Sequence, residues 1–252
     1  LSTMPTAFGE KCVLRIFDPD TTAKNFAQLG FAPAEETIWR SMIAQPHGIV
    51  LVTGPTGSGK TTTLYTTLRY LAVPEVNVCT IEDPIEMVIP ELNQMQVQAA
   101  IDLTFAQGVR TLLRQDPDII MVGEIRDLET AQMAVQAALT GHLVLSTLHT
   151  NDAISAITRL LDLGVPHYLI QNVLIGVMAQ RLARTLCPHC KGTDGMDDGL
   201  WEALVRPWPL PKPEVISAPR GCLECRNTGY LGRVGLYELL TVTPELRRLC
   251  RA

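Results

Sequence analysis

Gly54-Pro55-Thr56-Gly57-Ser58-Gly59-Lys60-Thr61 fits the phosphate-loop pattern G-x-x-x-x-G-K-[ST] at every fixed position. Just upstream, Ile49-Val50-Leu51-Val52-Thr53 is apolar and β-branched, as a short buried strand is. Residues 61–71 downstream read as a helix. In that order the glycines let backbone N–H groups close around a phosphate chain, and the helix N-terminus adds the positive end of its dipole. Lys60 is expected to reach the β and γ phosphates, the Thr61 hydroxyl to ligate Mg²⁺, and Thr62 to complete the cradle. A Gly-rich turn between strand and helix is the plain alternative, and it requires neither the Lys-Thr pair nor the flanking order. The implied ligand is a nucleoside triphosphate such as ATP.

The surrounding chain alternates strands and helices. Pro33 suits the first turn of a helix running to about Gln45, and Pro46-His47-Gly48 breaks it. Residues 76–81 are strand-like and end in Glu82-Asp83-Pro84-Ile85-Glu86. A helix is expected over 104–115, with Arg110 and Arg114 one turn apart on one face. Asp118-Ile119-Ile120-Met121-Val122 is a buried strand ending in Gly123-Glu124. An Ala-rich helix over 128–139 and a strand over 142–147 follow. Asn151 or Asp152 is placed to cap a helix to Leu163, and Pro166 to open another reaching about Ala183. This alternation implies an α/β fold, a parallel sheet covered on both faces. Ligands of such sheets sit at the carboxyl ends of the strands, where Glu82, Asp83, Glu86, Glu124 and His149 all fall.

Hydrolysis of a phosphoanhydride needs Mg²⁺, a carboxylate for the water, and positive charge at the γ-phosphate. Glu124 takes the place of the second acid of the usual metal-binding strand, but Gly123 stands where an Asp is expected. A solvated strand end or a helix cap is the plain reading of Glu124. Glu82, Asp83 and Glu86 are expected to include a catalytic base, although an acidic turn with proline says little alone. His149 is a candidate site residue or a satisfied polar group at a strand end.

Cys187-Pro188-His189-Cys190 and Cys222-Leu223-Glu224-Cys225 form a C-x₂-C pair of pairs separated by 31 residues. The interval carries Pro207, Pro209, Pro211, Pro213 and Pro219, which exclude a central strand or long helix. Four thiolates make a closed, structural Zn²⁺ site. Two disulfides or four unrelated thiols are the alternatives, and disulfides fit poorly with the lack of a legible secretory signal. Cys12, Cys79 and Cys250 are expected to be packing residues.

The chain has 252 residues, 46% hydrophobic and 19% charged, with net charge −5. That suits a soluble α/β core and argues against a broad nucleic-acid surface, which needs a basic face. No apolar run reaches the ~20 residues that span a bilayer, so membrane contact is expected to be indirect. Residues 11–17 alternate as a strand does and are expected to end a preceding domain, with 18–30 as linker. The chain is accordingly expected to be part of something longer.

Four motifs in order resemble the secretion and pilus-assembly ATPase superfamily: GPTGSGKTTTLY, TIEDPIE (80–86), IIMVGEIRD with Gly before Glu, and GHLVLSTLHTNDA (141–153). The resemblance covers essentially the whole chain. It implies a RecA-like P-loop core with a small tetracysteine zinc-binding subdomain. It implies Glu86 as the water-activating acid, Glu124 as the acid holding Mg²⁺ through water, and His149 near the γ-phosphate. It implies that Arg15, Arg110 and Arg114 reach phosphate or a neighbouring subunit's site. The implied protein is a hexameric ring, cytoplasmic and peripheral at the inner membrane. It would work on inner-membrane platform proteins to power type II secretion or type IV pilus assembly. The implied division is 1–30 (end of a preceding domain and linker), 31–185 (ATPase core), 186–228 (metal-binding subdomain) and 229–252 (start of a helical region). Two other readings stand beside it, a nucleic-acid translocase on the same core and a regulatory module that binds nucleotide without hydrolysis. The acidic charge speaks against the first, and retention of both Glu86 and Glu124 against the second.

Overall fold

The computed structural model of the chain describes residues 2–14 and 25–249, and these fall into two units, one of residues up to 181 together with those from 237 onward and the other of residues 182–236. Strands β1 (Ser2–Thr6) and β2 (Gly9–Val13) pair as an antiparallel hairpin. The expected strand over 11–17 therefore ends at Val13, and its last three residues, Arg15 among them, lie outside the described residues. So does most of the expected linker. Its end, however, is a capped helix, α1 (Phe26–Leu29), in which Asn25 and Gln28 satisfy each other's backbone amides. Phe26 and Leu29 are buried, which a linker does not require.

Helix α2 (Pro33–Ile43) opens on proline and buries Trp39, Met42 and Ile43. Then come β3 (Gly48–Thr53), α3 (Lys60–Leu71), β4 (Val78–Glu82) and β5 (Asn93–Gln96). Helix α4 (Phe105–Leu112) starts from a Thr104 cap, and β6 (Ile119–Val122) follows. Next are α5 (Leu128–Leu139), β7 (Leu143–Leu148), and α6 (Ala153–Asp162), which is capped by Asp152. Helix α4 ends three residues earlier than its expected limit of Gln115. Arg114 lies in the turn beyond it, so it does not share a helical face with Arg110.

The larger departure comes after Pro166. Helix α7 (His167–Val173) is short, and the chain passes at once into strand β8 (Leu174–Leu186) instead of continuing as helix. A strand buried on both faces is a continuous apolar run, and over 174–179 periodicity does not separate it from a buried helix. Gly176 fits the strand: a Cβ there would lie 2.7 Å from the Leu240 carbonyl oxygen.

Seven strands make the central sheet, the last being β11 (Tyr230–Thr241), in the order β11-β8-β3-β7-β6-β4-β5. The β3–β8, β3–β7, β7–β6, β6–β4 and β4–β5 pairings are parallel. Ile49 and Leu51 of β3 face one apolar layer with α4 to α7, whereas Val50 and Val52 face the other with α1 to α3. Both faces are thus covered, as a parallel sheet requires. Segment 229–252, expected to open a helical region, instead supplies β11 and then one short helix, α9 (Pro244–Leu249). Among the described residues no helix is long and apolar enough to cross a membrane.

The second unit contains β9 (Gly192–Gly195) paired antiparallel with β10 (Val215–Ala218), helix α8 (Asp198–Val205), and both C-x₂-C turns.

Candidate active site and metal centre

Strand register brings the expected residues to one edge of the sheet. Thr53 pairs with Leu148, Val122 with Ser146, and Ile81 with Val122, so the carboxyl ends of β3, β7, β6 and β4 lie together. The phosphate loop leaves β3 with Gly54, Gly57 and Gly59 at φ values of 144°, 78° and 88°, a region that favours glycine. Gly54 is further constrained, since a Cβ there would sit 2.3 Å from the Gln180 carbonyl oxygen. Lys60 is buried, and its Nζ donates to the carbonyl oxygens of Gly54 at 2.8 Å and Pro55 at 3.2 Å. Burial lowers its pKa from the ordinary 10.5, opposed by the charge of Glu124.

The loop fits a phosphate cradle on a buried atom: Ser58 Oγ has no hydrogen-bond partner among the described residues. Buried polar atoms are seldom left so, and a ligand oxygen would satisfy it. Thr61, exposed at the first turn of α3, suits a hydroxyl ligand for a divalent cation.

Glu124 follows β6 and is fixed by its neighbours' backbones. Gly123 N–H donates to Ile81 O at 2.8 Å, Ile125 N–H to Thr147 O at 3.0 Å, and Thr147 Oγ1 to Gly123 O at 2.7 Å. A Cβ at 123 would lie 3.3 Å from Ile81 O, a tight contact that favours glycine where the common pattern has Asp. The Glu124 carboxylate is ion-paired with Arg126 and lies 3.5 Å from His149 Nε2. Thr53 Oγ1 accepts the Thr150 N–H at 2.8 Å, tying the phosphate-loop strand to the residue after His149.

Of the acids over 82–86, Glu82 is turned inward and hydrogen-bonded, Asp83 is exposed, and Glu86 is half-buried in the loop after β4. Arg110 donates to Gln107 at 2.9 Å and pairs with Glu129 at 3.8 Å, so among the described residues its polar partners lie on α4 and α5 and not on the phosphate loop. Arg114 is exposed in its turn, and Arg15 lies outside the described residues.

Two residues at this edge escaped the sequence reading. Arg126 sits inside the quoted IIMVGEIRD motif, and its charge two residues after Glu124 was the available signal. Gln180 is 2% exposed; its Nε2 donates to Ser58 O, and its Oε1 accepts from Thr63 Oγ1, both at 2.8 Å. A lone carboxamide closing an apolar run was the clue there.

In the second unit the four thiols converge, with all four Sγ atoms within 4.8 Å of one another. Cys187–Cys222, Cys190–Cys225 and Cys222–Cys225 separations are 3.9, 3.8 and 3.8 Å. A tetrahedral Zn–thiolate site with bonds of about 2.3 Å has S···S edges of about 3.8 Å, whereas a disulfide needs about 2.05 Å. The donor set therefore fits zinc, and the four sulfurs stand as free thiols and not as disulfides. Backbone N–H groups of Cys222 and Gly229 donate to Cys225 Sγ, each at 3.2 Å. Burial pushes the Cys225 thiol up, but these amides and the neighbouring thiols outweigh it and bring it to about 6. Cys79 is buried as expected for packing; Cys12, expected likewise, is exposed on β2, and Cys250 lies outside the described residues.

The family model described as "Type II/IV secretion system protein" matches residues 1–252. The chain is 61% identical over 249 residues to the "Type IV pilus assembly ATPase TfpB" of Acinetobacter baylyi, covering 99% of this chain and 43% of that protein. It is 50% identical over 252 residues to the "Type II secretion system ATPase E" of Vibrio cholerae, covering 99% and 49%. The chain thus spans about half the length of these relatives. Among solved structures, that of the "Pilus Retraction Motor PilT and Bound ADP" superposes with a TM-score of 0.66 at 30% identity, over 99% of this chain and 61% of that one.

Proposed function

From the premise that the chain belongs to the type II/IV secretion system protein family, we propose that it is the motor part of an ATPase driving type II secretion or type IV pilus assembly. The observation that carries the reading is the meeting of Lys60, Glu124 and His149 at one sheet edge, beside a loop with an unsatisfied Ser58 hydroxyl. The relatives' names support the choice of system.

In this reading Gly54 to Thr62 hold the triphosphate, and Lys60 exchanges the carbonyls of Gly54 and Pro55 for β and γ oxygens. Magnesium, held by Thr61 and, through water, by Glu124, would neutralise charge on those oxygens. Glu86 takes a proton from the water that attacks the γ-phosphorus, and ADP leaves with the electron pair of the broken P–O bond. His149 and Arg126 face Glu124, His149 sensing the γ-phosphate end. Arginines supplied by a neighbouring subunit, Arg15, Arg110 and Arg114 being the candidates, meet the charge that builds during transfer. The working form is a hexameric ring, peripheral at the inner membrane, acting on platform proteins there. Cys187, Cys190, Cys222 and Cys225 would hold zinc as a closed, structural site.

Glu86→Gln should bind ATP with Mg²⁺ yet hydrolyse it about 100-fold more slowly, as loss of a general base predicts. Near-normal turnover in Glu86→Gln with loss in Glu124→Gln would mean that the two acids have exchanged roles.

A further inference from the structure

A buried acid precedes the loop that carries Glu86. Glu82, the last residue of β4, is 2% exposed. Its Oε1 accepts from Thr80 Oγ1 at 2.7 Å and from Gln94 Nε2 at 3.0 Å, and its Oε2 accepts the Tyr65 hydroxyl. Tyr65 belongs to α3, the helix that begins with Lys60. Its phenolic oxygen also accepts from the loop, taking the Met87 N–H at 3.4 Å. Gln94, on β5, holds the loop from the other side. Its Nε2 donates to Met87 O at 2.9 Å, and its Oε1 accepts the Ile89 N–H at 2.6 Å.

A carboxylate, a phenol and a carboxamide thus form one network with two ends. One end is the phosphate-loop helix, and the other is the backbone of Met87, next to Glu86. Burial raises the Tyr65 pKa, and the hydrogen bond and charge of Glu82 raise it further, so the hydroxyl stays a donor. Satisfied buried networks of this kind fix one geometry where apolar packing tolerates several. Simple core filling would need neither the three donors on Glu82 nor the two contacts on Met87.

We propose that Glu82, Tyr65 and Gln94 are positioning residues: they hold the Glu86 loop against α3 and so set where the Glu86 carboxylate stands relative to a phosphate bound at Lys60. The proposal rests on the reading of Glu86 as the base. Small misplacements of a reacting group are costly, about 10²-fold for 1 Å.

The test is steady-state ATP hydrolysis and nucleotide binding by the full-length assembled protein. Tyr65→Phe keeps the ring and removes the hydroxyl. It should lower kcat by about tenfold or more while KM and nucleotide affinity stay within about threefold, because only the transition-state geometry is lost. Gln94→Leu, at a half-buried position, should give the same split and stands in should Tyr65→Phe fail to fold. In the Glu86→Gln background Tyr65→Phe should slow the residual rate no further, since both act on one group. Wild-type kcat in both Tyr65→Phe and Gln94→Leu, or a full additive loss on top of Glu86→Gln, overturns the positioning role while leaving Glu86 as the base. Normal turnover by Glu86→Gln removes the base reading, and this proposal with it.

Discussion

Lys60 Nζ lies 2.8 Å from the carbonyl oxygen of Gly54, the residue that opens its own loop. The cation is therefore held inside the loop by neutral carbonyls, and the charge of Glu124 raises its pKa. Its net pKa is nonetheless lowered, because burial outweighs that charge. The sign of the pH dependence follows. Between the lowered folded value and the unfolded 10.5, the unfolded chain binds more protons, so stability without nucleotide rises with pH across that window. A triphosphate favours the charged amine, so ATP affinity should fall as pH climbs through the same window. Lys60→Ala should bind weakly at every pH, lose this alkaline dependence, and abolish hydrolysis while leaving the fold intact. Titration calorimetry from neutral pH upward, with thermal melts alongside, checks each part.

Gly123 makes a second case. Gly123→Asp would restore the acid pair of the common pattern, but its Cβ would sit 3.3 Å from Ile81 O. The variant should lose about 1–3 kcal/mol of stability, as overpacking does, and gain no activity. Denaturant unfolding and ATPase assays measure the two effects separately.

The cysteine cluster predicts one zinc per chain, bound by Cys187, Cys190, Cys222 and Cys225. Metal analysis of protein purified without added zinc should find it, and chelation should expose residues 182–236 to protease before the remainder. Replacing Cys225 by Ser should have the same effect as chelation. Metal-free protein that keeps this segment protected would exclude a structural zinc.

A fourth expectation concerns assembly. Glu86, Glu124 and Asp83 crowd acid at this edge, and Lys60 is the buried cation among them. A cation supplied in trans is worth about 10³–10⁵ in rate for phosphoryl transfer. The chain alone should bind ATP but hydrolyse it slowly, with specific activity rising with protein concentration. Fusion to a hexamer-forming scaffold should raise the rate per subunit, and Arg15→Ala should remove much of the gain. Full activity in a population that light scattering shows to be monomeric would refute a shared site.

Strands β3, β4, β6 and β7 were legible because they are short apolar runs bounded by Gly, Pro and acids, a signal that survives without tertiary information, whereas β5 is polar and gave no such signal. Helices α2, α3 and α5 carried their own starts and stops. What escaped was set by contacts distant in sequence. β8 reads like a buried helix until β3 and Leu240 are beside it, and α4 stops three residues short because Arg114 and Gln115 turn toward Thr111 and Leu112. Among the candidate site residues, Glu86, Glu124 and His149 were visible as motif residues, whereas the inward turn of Glu82 was not. Its partners Tyr65 and Gln94 are 17 and 12 residues away, and no local pattern marks them as a set.

The strand order carries a consequence of its own. Because β7 is interleaved between β3 and β6, the residue that follows its last one emerges between the strand that leads into the phosphate loop and the strand that leads to Glu124. His149 occupies that slot, and its side chain is 51% exposed and faces Glu124. The address is written by topology, and the occupant by a single codon. The side chain at position 149 can therefore change, from an imidazole to an amide or a hydroxyl, without moving a strand.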